Sequence, residues 1–441
     1  MVRPAAVPPS IETLLSGAEG AALVQDFGRL RTRDALRLAC EALRRGELRD
    51  DGALVADARR RLGTRRAGPR PVINATGVLL HTNLGRAPLA EAAKDAVLAA
   101  AGYGTLEYDL ASGERGKRGA HVRELLLAVF APGRAGMDAM AVTNNAAAIL
   151  LALDTLANGR PVAVSRGELV AIGGDFRVPS ILARSGATLL EVGTTNKTTL
   201  ADYQEALEAG AGLLLKVHPS NYRIVGFTES VELPELAALA ASRGVPLVYD
   251  AGAAAPWEEP LGDAADLVCF SGDKTLGGPQ AGILLGRREP IARCARNPLA
   301  RALRPDKLAL AALAATLELV ALGRQREIPY LRMKTAPLDE LEARAAALAE
   351  RVGAAGLLAE VVPSSATAGG GAGDGHELPS WAVRVLSPAH GANELAEALR
   401  LGDPPVIARI ARDAVLLDLR TIDPGDDVVV ARAIAATVPA P

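Results

Sequence analysis

The chain has 441 residues, a formal net charge of −2 and a pI near 6.3, and only 3% of its residues are aromatic. This length gives room for two or three domains with a sizeable core. The near-neutral charge argues against nucleic-acid binding over the whole surface, and the scarcity of aromatic residues argues against base-stacking platforms.

Three cysteines and five histidines are scattered along the chain. Because no CxxC or HExxH spacing occurs, we expect neither a disulfide framework nor a metal site. The N-terminal residues lack the charged-then-apolar pattern of a signal peptide, and no apolar run reaches the ~18 residues that a membrane span needs. We therefore expect a cytoplasmic protein that binds neither a membrane nor DNA.

Residues 1–70 differ from the rest of the chain in both pattern and charge. Fourteen Arg less nine Asp and Glu leave this segment a surplus of five positive charges. The basic side chains belong either to a solvated helical cap or to a surface for the phosphate backbone of a nucleic acid. Helical apolar spacing predicts four helices here: Ile11–Leu15, Ala21–Leu30, Arg33–Arg45 and Ala53–Leu62.

After a Gly-Pro-Arg-Pro linker at 68–71, short apolar strands alternate with segments able to form helices. This alternation is typical of an α/β fold with a mostly parallel sheet and helices on both faces. Because the last two strands are close in sequence, we expect them to be added at the sheet edge. The predicted strands are Ala139–Thr143, Pro161–Ser165, Thr188–Val192, Gly212–Val217, Pro246–Asp250, Leu267–Ser271 and Ala281–Leu285.

An apolar helix predicted at Lys307–Leu322 leads to a small α+β C-terminal domain. The Gly/Ala-rich run Ser364–Gly375 is predicted to be a loop. The domains are thus predicted to be residues 1–70, 71–306 and 307–441. Further elements predicted in the last of them are Leu338–Val352, Ala382–Leu386, Asn393–Leu399, Val406–Ile410, Ala414–Asp418 and Gly425–Ala436.

Three features of the sheet region are candidates for a functional site, and two of them lie directly at strand ends. Asn144, Asn145 and Ala146 begin a helix, and the free backbone N–H groups of a helix start suit a phosphate. Asp250 ends an apolar strand. There it either pairs with a protonated pyridine nitrogen or caps the next helix.

The third feature is Ser271-Gly272-Asp273-Lys274, which follows the strand Leu267–Phe270. A single lysine is usually a solvated charge, but burial lowers a lysine pKa enough for Schiff-base chemistry. Ser271 can donate to a cofactor phosphate. These three features follow one another along the chain in the order that is typical of the aspartate-aminotransferase fold, fold type I of the pyridoxal 5′-phosphate (PLP) enzymes. The sequence therefore predicts a PLP enzyme in which Lys274 carries the cofactor.

Glycine-rich loops around these elements carry several arginines. A guanidinium binds phosphate through two parallel hydrogen bonds, so these residues are candidates for binding an anionic substrate. The alternative for each is an ordinary surface arginine. The candidates are Arg86, Arg115, Arg118, Arg301 and Arg304.

Longer stretches resemble the bacterial selenocysteine synthases, the L-seryl-tRNA(Sec) selenium transferases. The resemblance spans essentially the whole chain, including the helical start at 9–15, which shorter relatives acting on sugar-acid phosphates generally lack. Thr275 and Pro219 depart from the expected pattern, and neither removes a group that the chemistry needs. The matching stretches are 74–86, 164–169, 192–198, 220–227, 271–274, 277–282 and 378–382.

The resemblance implies that seryl-tRNA(Sec) loses its α-proton and β-hydroxyl to give a dehydroalanyl-tRNA, to which selenium from selenophosphate adds. It implies Lys274 as the proton shuttle and Asp250 as the residue that keeps the PLP ring electron-poor. Either Asp273 or His81 would protonate the leaving hydroxyl. The substrate-binding candidates become Arg86, Arg115, Arg118, Arg301, Arg304, His81, Asn221 and Tyr222.

The resemblance further implies that the N-terminal domain recognises the tRNA and that the chain forms a homo-oligomer, at least a dimer and in this family a homodecamer. The main alternative is a PLP-dependent lyase or transferase acting on a small phosphorylated substrate without tRNA. A second alternative is a non-catalytic tRNA-binding protein on a PLP-enzyme scaffold. The presence of Lys274, Asp250 and Ser271 argues against this last possibility.

Overall fold

The computed structural model of the chain describes residues 8–48, 50–64, 68–172, 176–220, 222–254, 265–369 and 377–438. The chain divides into two compact units. The smaller unit combines the residues up to Ile73 with residues 397–406, and the larger unit takes 74–396 and 407–441. The three-domain division made from the sequence stays a prediction.

The N-terminal part of the smaller unit is helical, as the apolar spacing predicts. Ser10 begins the first helix by accepting a hydrogen bond from the Thr13 backbone N–H at 3.1 Å. The predicted gap after Leu30 is wrong, because Gly28 turns the chain at φ +81° and the next helix starts at once. The helices are α1 (Ile11–Ser16), α2 (Ala18–Phe27), α3 (Arg29–Arg44) and α4 (Ala53–Thr64).

The remaining elements follow in chain order. The strands are β1 (Ile73–Ala75), β2 (Met137–Val142), β3 (Pro161–Ser165), β4 (Ala171–Ile172), β5 (Phe176–Arg177), β6 (Thr188–Val192), β7 (Leu213–Val217), β8 (Leu247–Gly252), β9 (Leu267–Ser271), β10 (Gly282–Arg287), β11 (Leu358–Thr367), β12 (Glu377–Leu386), β13 (Val406–Ala411) and β14 (Ala414–Asp418). The helices are α5 (Glu91–Ala100), α6 (Ala120–Phe130), α7 (Asn145–Ala157), α8 (Val178–Arg184), α9 (Leu200–Glu208), α10 (Leu233–Arg243), α11 (Arg288–Arg296), α12 (Pro298–Ala302), α13 (Lys307–Ala321), α14 (Pro329–Thr335), α15 (Leu338–Ala354), α16 (Ala392–Leu401) and α17 (Asp427–Ala435).

Seven strands of the larger unit form its main sheet, in the order β2-β10-β9-β8-β7-β3-β6. All run parallel except β10, which is antiparallel to both β9 and β2. The expected edge position of the last two strands is therefore wrong. The short turn after β9 makes the two strands antiparallel neighbours, and β10 then fills the space between β9 and β2.

Alternate residues of these strands are buried in two apolar clusters, one on each face of the sheet. Leu214 belongs to one cluster, whereas Leu213 and Leu215 belong to the other, as the two-residue period of a strand requires. Helices α6, α9, α10 and α13 contribute to the first cluster, and α7, α8 and α11 to the second. This confirms the predicted α/β class with helices on both faces.

A second sheet in the larger unit is antiparallel and contains the order β13-β14-β12-β11. Strand β11 includes Ser364–Thr367, so the loop predicted from Ser364 is wrong in its first part. Of these four residues only Thr367 is of a type enriched in strands, but here each pairs with a residue of β12 from Glu377 to Ser380. The rest of that predicted loop, from residue 370, lies outside the described residues. Within the described residues, no helix is long and apolar enough to cross a membrane.

Candidate active site

The carboxyl ends of the central strands meet at one edge of the main sheet, where ligands of α/β proteins bind. Val217 at the end of β7 is aligned with Asp250 of β8, and Asp250 with Cys269 of β9. A cavity of about 280 Å³ opens at this edge. It is lined by Arg86, Asn144, Asn145, Ala146, Val217, His218, Ser220, Asp250, Gly252, Ser271, Asp273, Lys274 and Gln280. We refer to it as the Lys274 pocket.

Asp250 is a buried carboxylate at the inner end of this pocket. Its Oδ1 accepts hydrogen bonds from Asn145 Nδ2 at 2.8 Å and from the Gly252 backbone N–H at 3.0 Å. Burial raises the pKa of Asp250, and the hydrogen bond from Asn145 only partly opposes this. A buried anion of this kind is stabilised by a cationic partner in the pocket.

The strand that carries Asp250 is irregular at this point. The pairing between β8 and β9 shifts between Asp250 and Gly252, and such irregularities often re-aim side chains next to active sites. Gly252 has φ +53°, and a Cβ there would lie 2.8 Å from Ser220 Oγ. Glycine is therefore required for the turn that follows the carboxylate.

Lys274 is 95% buried, with a relative exposure of 5%. Burial lowers its pKa, the Arg86 charge lowers it further, and Asp250 and Asp273 oppose both effects. A lowered pKa leaves more of the amine unprotonated at neutral pH, which is the form that attacks a carbonyl. Burial in the pocket thus favours the nucleophilic form of Lys274.

Asp273, next to Lys274, forms an ion pair with Arg86, whose Nη1 lies 2.7 Å from Asp273 Oδ2. Arg86 has φ +65° and its backbone N–H donates to the His81 carbonyl at 3.1 Å. A non-glycine residue in this left-handed conformation is strained, and such strain concentrates at functional sites. The pair thus brings a guanidinium from a distant loop to the mouth of the pocket.

The start of helix α7 also lines the Lys274 pocket. Asn144 caps it by accepting from the Ala147 N–H at 2.9 Å, so the N–H groups of Asn145 and Ala146 belong to the first turn, which has no acceptors within the helix. Gly282 allows β10 to pass this helix start, because a Cβ there would lie 2.0 Å from the Asn144 carbonyl oxygen. Among the described residues, Asn145 Oδ1 is buried without a hydrogen-bond partner.

These groups fit PLP. The first turn of α7 offers N–H donors and a positive helix end for its phosphate. The Asp250 carboxylate is available to its protonated pyridine nitrogen, and Lys274 to its aldehyde. Asn145 lines the pocket, and its buried Oδ1 has no hydrogen-bond partner among the described residues, so it is available to a ligand that carries a donor.

The sequence profile of the family described as L-seryl-tRNA selenium transferase matches residues 72–423. The chain belongs to this family. The L-seryl-tRNA(Sec) selenium transferase of Moorella thermoacetica is 48% identical over 388 residues, which are 84% of this chain and 82% of the relative. The protein of the same name from Desulfomicrobium baculatum is 43% identical over 98% of both chains. The similarity to these relatives therefore extends beyond residues 72–423 and includes the N-terminal helices.

Among solved structures, D-glucosaminate-6-phosphate ammonia-lyase superposes with a TM-score of 0.59, over 84% of this chain and 96% of the lyase. The sequence identity is 23%, so this likeness concerns the fold alone. Together with the sheet described above, it confirms the aspartate-aminotransferase-like fold predicted for the chain. Family and fold both imply PLP as the cofactor.

Four of the five arginines that were predicted to bind substrate do not line the Lys274 pocket of their own chain. Glu107 forms ion pairs with Arg115 at 2.7 Å, with Arg118 at 3.4 Å and with Arg304 at 3.8 Å. The hydrogen bond from Arg115 holds the pKa of Glu107 below its usual range. Arg301 is exposed on α12. Of the five, only Arg86 is among the described residues that line the pocket.

The remaining predicted residues are placed as follows. The His81 ring Nδ1 is buried, with no hydrogen-bond partner in the part of the chain that the structure describes. Tyr222 lines a neighbouring cavity of about 440 Å³, and its hydroxyl donates to the Gly167 carbonyl. Burial raises the pKa of Tyr222, so the hydroxyl stays protonated as a donor. Asn221 lies outside the described residues.

Besides Val217 and Gly252, three polar residues that line the pocket were not singled out as site residues from the sequence: His218, Ser220 and Gln280. His218 directly follows β7, and its Nδ1 lies 3.3 Å from Ser220 Oγ. The rule that found Asp250, a polar residue at a strand's carboxyl end, also applies to His218. Gln280 had no such signal, because it reaches the pocket only through the turn between β9 and β10.

Proposed function

We propose that the chain converts L-seryl-tRNA(Sec) to L-selenocysteinyl-tRNA(Sec), with selenophosphate as the selenium donor and PLP as cofactor. The observation that carries the substrate assignment is membership of the L-seryl-tRNA selenium transferase family over nearly the whole chain. The Lys274 pocket supports the cofactor assignment, because it combines a buried lysine, a buried carboxylate and a helix start.

When bound, PLP supplies an electron sink for breaking the Cα–H bond of the seryl group. Lys274 is the base that takes this proton, since burial lowers its pKa and so favours the unprotonated amine. Asp250 would hold the cationic ring nitrogen, and Asn145 and Gly252 fix the carboxylate in place. Ser271 and the start of α7, from Asn144 to Ala146, would hold the phosphate.

The β-hydroxyl is a poor leaving group and needs a proton as its bond to carbon breaks. Asp273 lies beside Lys274 in the pocket and is oriented by Arg86, so it is our candidate for relaying the proton that Lys274 has taken from Cα to the hydroxyl, which then leaves as water. Arg86 is our candidate for binding selenophosphate, because its guanidinium lines the pocket. The net change replaces the seryl oxygen by selenium and releases phosphate.

The direct test is to incubate the purified protein and PLP with seryl-tRNA(Sec) and selenophosphate. We expect selenocysteinyl-tRNA(Sec) and one phosphate for each amino acid converted. The control omits selenophosphate, which removes the selenium donor but not the elimination step. PLP binding without any conversion of a competent seryl-tRNA would instead favour a lyase or transferase of small phosphorylated substrates.

We further propose that the N-terminal helices contact the tRNA. Their surplus of positive charge suits a phosphate backbone, and Arg44 on α3 and Arg59 on α4 are exposed. We expect R44E and R59E each to weaken tRNA binding and to reduce the slope of log K against log salt by about 1 for each phosphate that the variant no longer binds. Filter binding at several salt concentrations measures this.

The PLP absorbance of these variants should equal that of the wild-type protein, because Arg44 and Arg59 lie in the smaller unit and do not line the Lys274 pocket. A matched control is Arg400→Glu, an exposed arginine on α16 that pairs with Glu397 at 3.5 Å. Equal losses of tRNA affinity in all three variants would reveal a general charge effect and contradict a specific surface on α3 and α4.

We also propose that the chain acts as a homo-oligomer, at least a dimer. The convergence of Arg115, Arg118 and Arg304 on Glu107, away from the pocket of the same chain, supports this proposal. Enzymes of this fold build each active site from two subunits, and an arginine cluster is suited to binding an anionic substrate in a partner's pocket.

A further inference from the structure

Glu168 forms a buried set of contacts just outside the Lys274 pocket. Its Oε1 lies 2.9 Å from Lys216 Nζ, and its Oε2 accepts from the Val217 backbone N–H at 2.8 Å. Lys216 Nζ also donates to the Val231 carbonyl at 2.8 Å. The side chains of Glu168 and Lys216 are 11% and 15% exposed, so the pair is largely shielded from water.

The position of Glu168 follows from the unequal lengths of neighbouring strands. Strand β3 pairs with β7 only from Val162 opposite Leu213 to Val164 opposite Leu215. Strand β7 continues for two more residues, which keep their pairing with β8 on the other side. On the side of β3, the carboxylate of Glu168 therefore accepts the Val217 N–H that a longer strand would have accepted.

The end of β7 held in this way belongs to the pocket. Val217 and the next residue, His218, both line it. The His218 backbone N–H donates to the Asp250 carbonyl at 2.9 Å, and the Ser220 N–H donates to the His218 carbonyl at 2.8 Å. A shift of the β7 end would consequently move His218 and strain the backbone that carries Asp250.

We propose that Glu168, with its charge balanced by Lys216, is a positioning residue for PLP binding. Its carboxylate takes the place of the missing strand and fixes the end of β7, so that His218 and Asp250 keep their places in the Lys274 pocket. The inference deepens the proposed function, because it concerns the cofactor pocket of that reaction.

The test compares E168A, which removes the acceptor of the Val217 N–H, with E168Q, which keeps an amide oxygen for it. PLP affinity is measured by absorbance titration of the cofactor-free protein, kcat and KM with seryl-tRNA(Sec), and stability by thermal unfolding. The matched control is D427N, which breaks the Arg344–Asp427 pair of the same unit, 2.7 Å long with side chains 14% and 21% exposed.

We expect E168A to bind PLP about 10-fold more weakly and to lower kcat by a similar factor, as loss of an outer-shell partner does at metal sites. KM for seryl-tRNA(Sec) should stay unchanged, and E168Q should recover most of the PLP affinity. D427N should lower the unfolding temperature while binding PLP as the wild-type protein does.

Wild-type PLP affinity in E168A, with a loss of stability like that of D427N, would reduce the pair to a structural role and overturn the proposal. If E168A does not fold, E168D takes its place: its side chain is one methylene shorter, so it keeps the charge but cannot hold both Lys216 and the Val217 N–H, and PLP affinity equal to that of D427N would again overturn the proposal. A wild-type protein that binds PLP but does not convert seryl-tRNA(Sec) would overturn the proposed function alone, since the PLP affinities of the variants can still be compared.

Discussion

Replacing Lys274 with alanine is expected to lower kcat for selenocysteinyl-tRNA(Sec) formation by about 10⁴-fold. This corresponds to roughly 5 kcal/mol of activation free energy. The effect is large because one amine has two tasks, holding the cofactor and moving the α-proton. It is measured by single-turnover conversion of labelled seryl-tRNA(Sec) with enzyme in excess.

A second readout separates the chemistry from the fold. Borohydride treatment should fix PLP covalently to the wild-type chain and leave K274A unmodified, as mass spectrometry would record. The control is K94A, because Lys94 is exposed on α5, where it pairs with Glu91 at 2.6 Å. Turnover by K274A comparable to that of K94A would contradict the assignment of Lys274.

The second large effect is expected from D250N, which should lower activity but raise the stability of the cofactor-free protein. The amide keeps an oxygen for the Asn145 and Gly252 donors but cannot hold a cationic ring nitrogen. We expect kcat to fall by about 10²–10³-fold, as on removal of a transition-state hydrogen-bond donor. Steady-state kinetics at saturating PLP measure this loss.

Stability should change in the other direction when the cofactor is absent. Burial raises the folded-state pKa of Asp250 above its ordinary value of 3.8. The contribution of such a group to stability is present below that ordinary value and is lost as pH rises through the folded-state pKa. At neutral pH, D250N without PLP should therefore be more stable than the wild-type protein by about 1 kcal/mol.

The pH dependence provides the check. The advantage of D250N in urea unfolding should grow from acid to neutral pH. The control D138N should show no such gain, because Asp138 pairs with Arg123 at the other end of the same sheet. A D250N protein that is less stable than wild type at neutral pH would show that burial of the Asp250 carboxylate does not destabilise the fold.

Local sequence predicts well those elements whose bounds are set locally. Strands β3, β6, β9 and β14 begin and end where their apolar runs do. Strand β11 was not predicted, and its last four residues, Ser364 to Thr367, were assigned to a loop, because they become a strand only by pairing with β12. The place of β10 was missed because the order of strands across a sheet depends on contacts distant in sequence.

The same distinction applies to the site. Lys274, Asp250 and the start of α7 could be found because each follows or ends an apolar strand. The arginines could not be sorted, because three of them share one carboxylate partner, Glu107, which carries no signal of its own. Glu168 was overlooked for a related reason: its partner is the backbone of another strand.

The inserted position of β10 has a consequence for the order of folding. The start of α7 follows β2, whereas Asp250 and Lys274 follow β8 and β9, and only β10 joins these two parts of the sheet. The bond from Asn145 to Asp250 spans 105 positions, and the Arg86–Asp273 pair spans 187. A nascent chain that has not yet released residues 282–287 therefore has two separate halves of a pocket. Cofactor capture is therefore expected only after β10 has been made, and PLP cannot guide the steps before it.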